Sequence, residues 1–229
     1  MKIHGLQKMT LLDFPGRVAC TVFLGGCDLR CPFCHNSELL DASCPAELDD
    51  AQLFSFLAKR RGLLDGVAVT GGEPLLRRDL PDFLARLREM GFAVKLDTNG
   101  THPQALRRIL EEKLADYIAM DIKNSPARYA ETVGVPDFDI APVRESVELL
   151  KAGGTDFEFR TTCVAQLHDD DSFRAIAAWL DGAPAYFLQA FIDRDTVAFG
   201  GLSAPAAEDM RRWAALVRPF VQRVELRGV

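Results

Sequence analysis

The sequence predicts an α/β fold built on a parallel sheet. Apolar, β-rich runs alternate with amphipathic helical runs six times, turn signals separate them, and no shift in composition marks a linker. Repeated βα units imply parallel strands covered by helices, as an open doubly wound sheet or a partial barrel. No short-period repeat of the solenoid kind is present.

The elements follow in order. Arg17–Leu24 (RVACTVFL) is rich in β-branched and aromatic residues and is expected to be a buried strand. A cysteine-bearing loop follows it. Leu53, Phe54 and Leu57 share one helical face, and Gly62 can stop that helix. Val67–Thr70 is a short strand ending at Gly71-Gly72, and Leu80, Phe83, Leu84 and Leu87 form a helical stripe closed by Gly91. Ala93–Leu96 runs into Asp97-Thr98-Asn99-Gly100, followed by a helix marked by Leu106, Ile109 and Leu110. Tyr117–Met120 runs into Asp121-Ile122-Lys123, and Val143, Val147 and Leu150 mark a helix ending near Gly153-Gly154. Phe157–Thr161 is a strand containing Arg160, and Phe173, Ile176 and Leu180 mark the helix after it. Tyr186–Phe191 is a strand containing Gln189, and Met210, Trp213 and Val217 mark the final helix.

The cysteine loop, Gly71–Glu73, Asp97, Asp121 and Arg160 all fall at or just after strand ends. In parallel βα architectures those ends share one face, where ligand sites are built. The 229 residues, 48% of them hydrophobic, suffice for one substantial core, so residues 1–229 are expected to form one domain. The net charge of −6 comes without a basic run, which argues against a nucleic-acid partner. No stretch is long and apolar enough to span a bilayer, and the first residues lack a signal-peptide pattern, so a cytoplasmic location is expected.

Three of the six cysteines lie in Gly26-Cys27-Asp28-Leu29-Arg30-Cys31-Pro32-Phe33-Cys34-His35-Asn36, with the spacing C-x3-C-x2-C. Such clustering points to metal or cluster ligation rather than disulfides. Three thiolates on one loop can ligate three corners of a 4Fe–4S cubane and leave one iron without a protein ligand. The amine and carboxylate of a methionine moiety suit that open corner. Spacing alone leaves open a structural zinc site, in a non-catalytic interaction module, with Cys44 or His35 as fourth ligand. Cys20 and Cys163 fit small core positions, and Cys44 carries no assigned role. His102 and His168 fall at helix starts or in loops with no evident partner. Arg160, inside an apolar strand, demands an anionic partner.

The cysteine loop, with Phe33 before its last cysteine, resembles the motif of the radical S-adenosylmethionine (SAM) superfamily. Gly71-Gly72-Glu73-Pro74 resembles that family's second-strand motif, whose backbone receives the SAM amino group. The resemblance covers nearly the whole chain and implies a partial (βα)6 TIM-like barrel of radical SAM type. It implies a 4Fe–4S cluster on Cys27, Cys31 and Cys34, which together form the metal site and catalytic centre, and S-adenosyl-L-methionine as cofactor. Reductive cleavage of SAM to a 5′-deoxyadenosyl radical is the implied reaction. Cys34-His35-Asn36, Leu96–Gly100 and Met120–Lys123 resemble, more narrowly, the glycyl-radical-enzyme activating proteins. That likeness implies Phe33, His35, Gly72, Asp97, Asp121, Lys123 and Arg160 as SAM-side residues. Gln189 stands where the pyruvate formate-lyase activating enzyme has a histidine, so no role is carried over to it. Leu12–Arg17 and Cys31–Asn36 look most like an anaerobic ribonucleoside-triphosphate reductase activating protein. The implied partners are therefore a glycyl radical enzyme, that reductase by preference, and a flavodoxin- or ferredoxin-type electron donor. A radical SAM enzyme acting on a small molecule, as in deazapurine synthesis, is the nearest alternative.

Overall fold

The computed structural model describes residues 1–229. The chain opens with β1 (Lys2–Ile3), β2 (Gly5–Thr10) and β3 (Ala19–Leu24), then β4 (Leu48–Asp49) and α1 (Asp50–Ala58). There follow β5 (Gly66–Gly71), α2 (Leu80–Glu89), β6 (Ala93–Thr98), α3 (Pro103–Glu111) and β7 (Tyr117–Asp121). A short α4 (Tyr129–Val133) precedes α5 (Ala141–Lys151), β8 (Asp156–Cys163), α6 (Asp170–Trp179), β9 (Ala185–Ala190), α7 (Ala207–Val217) and β10 (Arg223–Arg227).

All six expected strands are present as β3, β5, β6, β7, β8 and β9. They lie in one eight-stranded sheet ordered β10-β9-β8-β7-β6-β5-β3-β2. Every pairing is parallel except β2 with β3. Strands thus add in chain order, and the helices pack on one side of them. Alternate residues project from the other side, and those of β3, β5, β6, β7, β8 and β9 converge on one cavity. That convergence is the partial barrel.

Sequence patterning missed five elements. β2 (GLQKMT) exposes three of its six residues and offers little apolar signal. β10 (RVELR) has no fully buried residue. The two-residue β1 and β4 pair antiparallel beside the main sheet, and α4 is only five residues long. Helix ends also fall short of the expected glycines: α1 stops at Ala58, before Gly62, and α5 at Lys151, before Gly153.

Local chemistry explains the elements that carry the site. Asp49 caps α1, its side chain accepting from Gln52 N–H (2.8 Å) while Gln52 Oε1 accepts from Asp49 N–H (2.9 Å). Asp169 caps α6 by accepting from Ser172 N–H at 2.8 Å. Val67, Val69, Val94, Leu96, Ile118 and Met120 are fully buried, and the core continues through Leu53, Leu84, Leu106 and Val147 on the covering helices. Cys20 and Cys163 lie in this core without exposure, as expected.

Candidate functional site

The loop after β3 is fixed from several directions. Gly26 and Cys27 donate their N–H groups to Leu39 and Leu40 carbonyls, at 2.8 and 3.1 Å. Arg30 N–H donates to Val133 O (2.8 Å), and its guanidinium donates to Cys27 O (2.7 Å) and Leu29 O (2.8 Å). Leu29 and Phe33 are buried and pin the loop by packing. Cys34 N–H donates to Cys31 O at 3.1 Å, a tight turn that brings the last two cysteines to one side. Cys27, Cys31 and Cys34 are all free thiols and all line one cavity of ≈ 470 Å³. Burial pushes the Cys27 thiol up to about 12 and the Cys31 thiol to about 11, so neither is a ready thiolate without a cation beside it.

The strand ends supply the rest of the wall. Gly71 has φ +121°, and a Cβ there would lie 2.3 Å from Leu24 O. A Cβ on Gly72 would lie 2.1 Å from Gly26 O. Any side chain at Gly72 would collide with the backbone of the cysteine loop, so the glycine pair is required by close approach of two main chains. Glu73 N–H in turn donates to Gly26 O at 2.7 Å. The Glu73 carboxylate is buried and accepts from Leu75 N–H, Thr98 Oγ and Asn99 N–H at 2.6 to 2.9 Å. Burial outweighs these bonds and lifts its pKa to about 7.

Below the cysteines a row of alternating charges crosses three strands. Lys95 pairs with Asp97; Arg160 Nη1 lies 3.1 Å from Asp97 Oδ2, and its Nε 3.0 Å from Asp121 Oδ1. Lys123 Nζ completes the row 2.9 Å from Asp121 Oδ2. Burial opposes ionisation of both carboxylates. Arg160 with Lys95 nevertheless holds Asp97 below the usual carboxylate range, and Arg160 with Lys123 does the same for Asp121. The anionic partner that Arg160 demands is thus these two aspartates. Lys123 is part of the row, and its backbone is gripped by Tyr129 Oη, which accepts from Lys123 N–H, and by His168 Nε2, which donates to Lys123 O at 2.9 Å.

His35, Gly72, Asp97, Asp121, Lys123 and Arg160 line the same cavity as the three cysteines, and so does Phe33. His35 stacks on Phe191 at 5.5 Å, and its Nε2 donates to Ile192 O at 2.7 Å. Gln189, Asp13 and Gln7 also face the cavity. Both histidines left without partners have one: His168 is buried as described, and His102 Nε2 lies 3.1 Å from Asp28 Oδ2. Sequence reasoning missed Lys95 and the Asp28–His102 contact. Lys95 was findable, since a residue two before Asp97 on a strand shares its face. Asp28–His102 joins loops 74 positions apart and leaves no local signal.

No three His, Cys, Asp or Glu side chains converge on a single point. His35 is engaged elsewhere and Cys44 lies off the cavity wall. A cubane, whose irons each take a separate sulfur, needs no such convergence. Three thiols facing one polar cavity, with Gly72 also in its wall, fit that group and a ligand beside it.

The radical SAM superfamily model matches residues 21–180, so the chain belongs to the radical SAM superfamily, whose enzymes use a 4Fe–4S cluster and SAM. It is 28% identical, over 99% of its length and 96% of the relative's, to a Methanocaldococcus jannaschii protein described as a putative glycyl-radical enzyme activating enzyme. It is 34% identical to a Clostridium pasteurianum pyruvate formate-lyase-activating enzyme, over 54% of this chain and 52% of that one. Among solved structures it resembles Streptococcus suis SuiB bound to S-adenosylmethionine, with a TM-score of 0.66 and 15% identity, covering 91% of this chain and 52% of SuiB. That last likeness concerns the fold. No helix is long and apolar enough to cross a membrane.

Proposed function

We propose that this chain is a glycyl-radical-enzyme activating enzyme. The observation that carries the reading is the end-to-end likeness to a relative of that description, 99% of this chain against 96% of the other. In this reading Cys27, Cys31 and Cys34 hold the cluster and leave one iron open. When bound, the cluster and SAM supply a 5′-deoxyadenosyl radical able to abstract hydrogen from a glycine Cα. The chain's own residues bind and orient. Gly72 lets the cysteine loop close against the end of β5, where its own backbone borders the cavity. Phe33 and His35 wall the cluster side, and His35 is held by Phe191 and Ile192 O. Asp97, Arg160, Asp121 and Lys123 form a polar row, already mutually paired, that positions the ribose and methionine portions.

Anaerobic ribonucleoside-triphosphate reductase is the proposed partner, on the likeness carried by Leu12–Arg17 and Cys31–Asn36, with a flavodoxin- or ferredoxin-type protein as electron donor. The test is anaerobic incubation of reconstituted protein, SAM, a reductant and the purified reductase. A glycyl doublet in the electron-resonance spectrum of the reductase is expected. Full cluster, rapid SAM cleavage and no doublet would overturn the reading in favour of a small-molecule substrate.

A further inference from the structure

A glycine has no side chain to grip, so an enzyme acting at its Cα must recognise the backbone around it. One feature of the fold presents unpaired main chain. β2 is the last strand of its sheet, paired only with β3, so its outer side has no strand partner. The first outward donor, Leu6 N–H, is taken by Glu47 Oε2 at 3.2 Å, and beyond it Lys8–Met9 are exposed. The sheet's other end, β10, also lacks an outer neighbour, but no β10 residue lines the cavity. β2 does border it. Gln7 faces the cavity from β2, and Asp13, just past the strand, faces it while accepting from Thr21 Oγ at 2.5 Å.

The same segment carries Met9, Leu11 and Leu12, which are 64%, 67% and 89% exposed. Three large apolar side chains so exposed within four residues mark a contact surface. From the open edge, the adjoining cavity and the apolar trio, we infer that the glycine-bearing segment of the partner docks in extended form as an added strand on β2, its flanking side chains resting on Met9, Leu11 and Leu12. Main-chain hydrogen bonds to the edge give affinity without side chains, as in other strand-addition complexes. Docking there holds the segment beside Gln7 and Asp13, at the border of the cavity that the cysteines face. This inference rests on the function proposed above.

The test compares wild type with the Leu11→Ser/Leu12→Ser double variant, both reconstituted, using purified anaerobic ribonucleoside-triphosphate reductase. Neither residue touches the cavity wall, so cluster content and reductase-independent SAM cleavage should stay within twofold of wild type. The glycyl-radical yield at limiting reductase should fall at least tenfold. Hydrogen exchange of the wild-type protein should show new protection of the 5–10 amides on adding reductase. Equal radical yields from both proteins, or protection appearing at β10 instead, would overturn strand docking while leaving the activating function intact. Protection of the 5–10 amides that rises with concentration in the absence of reductase would assign the edge to a second copy of this chain and overturn the inference. A wild-type protein that cleaves SAM but never radicalises the reductase would defeat the functional reading itself, and this inference with it.

Discussion

Single residues decide whether the cavity can work. Cys31→Ala should remove most of the iron and sulfide and all SAM cleavage, whereas Cys163→Ala, a fully buried core position off the cavity, should retain both. Iron and sulfide assays with product chromatography separate the two. Gly72→Ala should be as damaging to SAM binding as a lost ligand, because its methyl would meet Gly26 O at 2.1 Å and push the cysteine loop away. Equilibrium dialysis with labelled SAM should show at least a tenfold loss for this variant. Arg160→Met would leave Asp97 with Lys95 alone and Asp121 with Lys123 alone, and losing the charged hydrogen bonds that join them should cost about 1.5–3 kcal/mol, read by denaturant unfolding. Of this chemistry, the cysteines, the glycine pair and the Asp97, Asp121 and Arg160 positions were legible because each sits at or near the end of a recognisable apolar strand. Lys95 and the Asp28–His102 contact were not singled out, the first because a lysine in a strand looks solvated, the second because sequence distance hides contact across the barrel mouth.

At the level of elements, helix entry is set by short-range chemistry that a sequence displays openly. Asp49→Ala removes a reciprocal cap and should cost about 1 kcal/mol without altering the cluster. A shift in urea midpoint at unchanged iron content is the expected result. The strands tell a different story. β3, β5, β6, β7, β8 and β9 are apolar because helices cover one face and the barrel encloses the other, and that is what made them visible. β2 and β10 are sheet edges with half their residues wet, so their composition resembles that of loops and only pairing with β3 or β9 makes them strands.

For the whole molecule, the charge row should contribute to the loss of stability at low pH. Asp97 and Asp121 titrate below their ordinary value of 3.8 in the folded protein, so the unfolded chain takes up protons first as pH falls. Their contribution to stability is fully present above about that ordinary value and drains away as pH drops through the depressed folded values. Cluster-free protein unfolded at a series of pH values should show this decline, and Asp97→Asn should flatten part of it. The strictly sequential strand order has a consequence for synthesis as well. A chain emerging from the ribosome can extend its sheet one βα unit at a time, without waiting for a distant strand to fill a gap. By the time β7 has been made, the chain already holds the three cysteines, Gly72, Asp97 and Asp121. Asp97 and Asp121 then have Lys95 and Lys123 as partners, and the guanidinium that joins the two pairs arrives last, with β8.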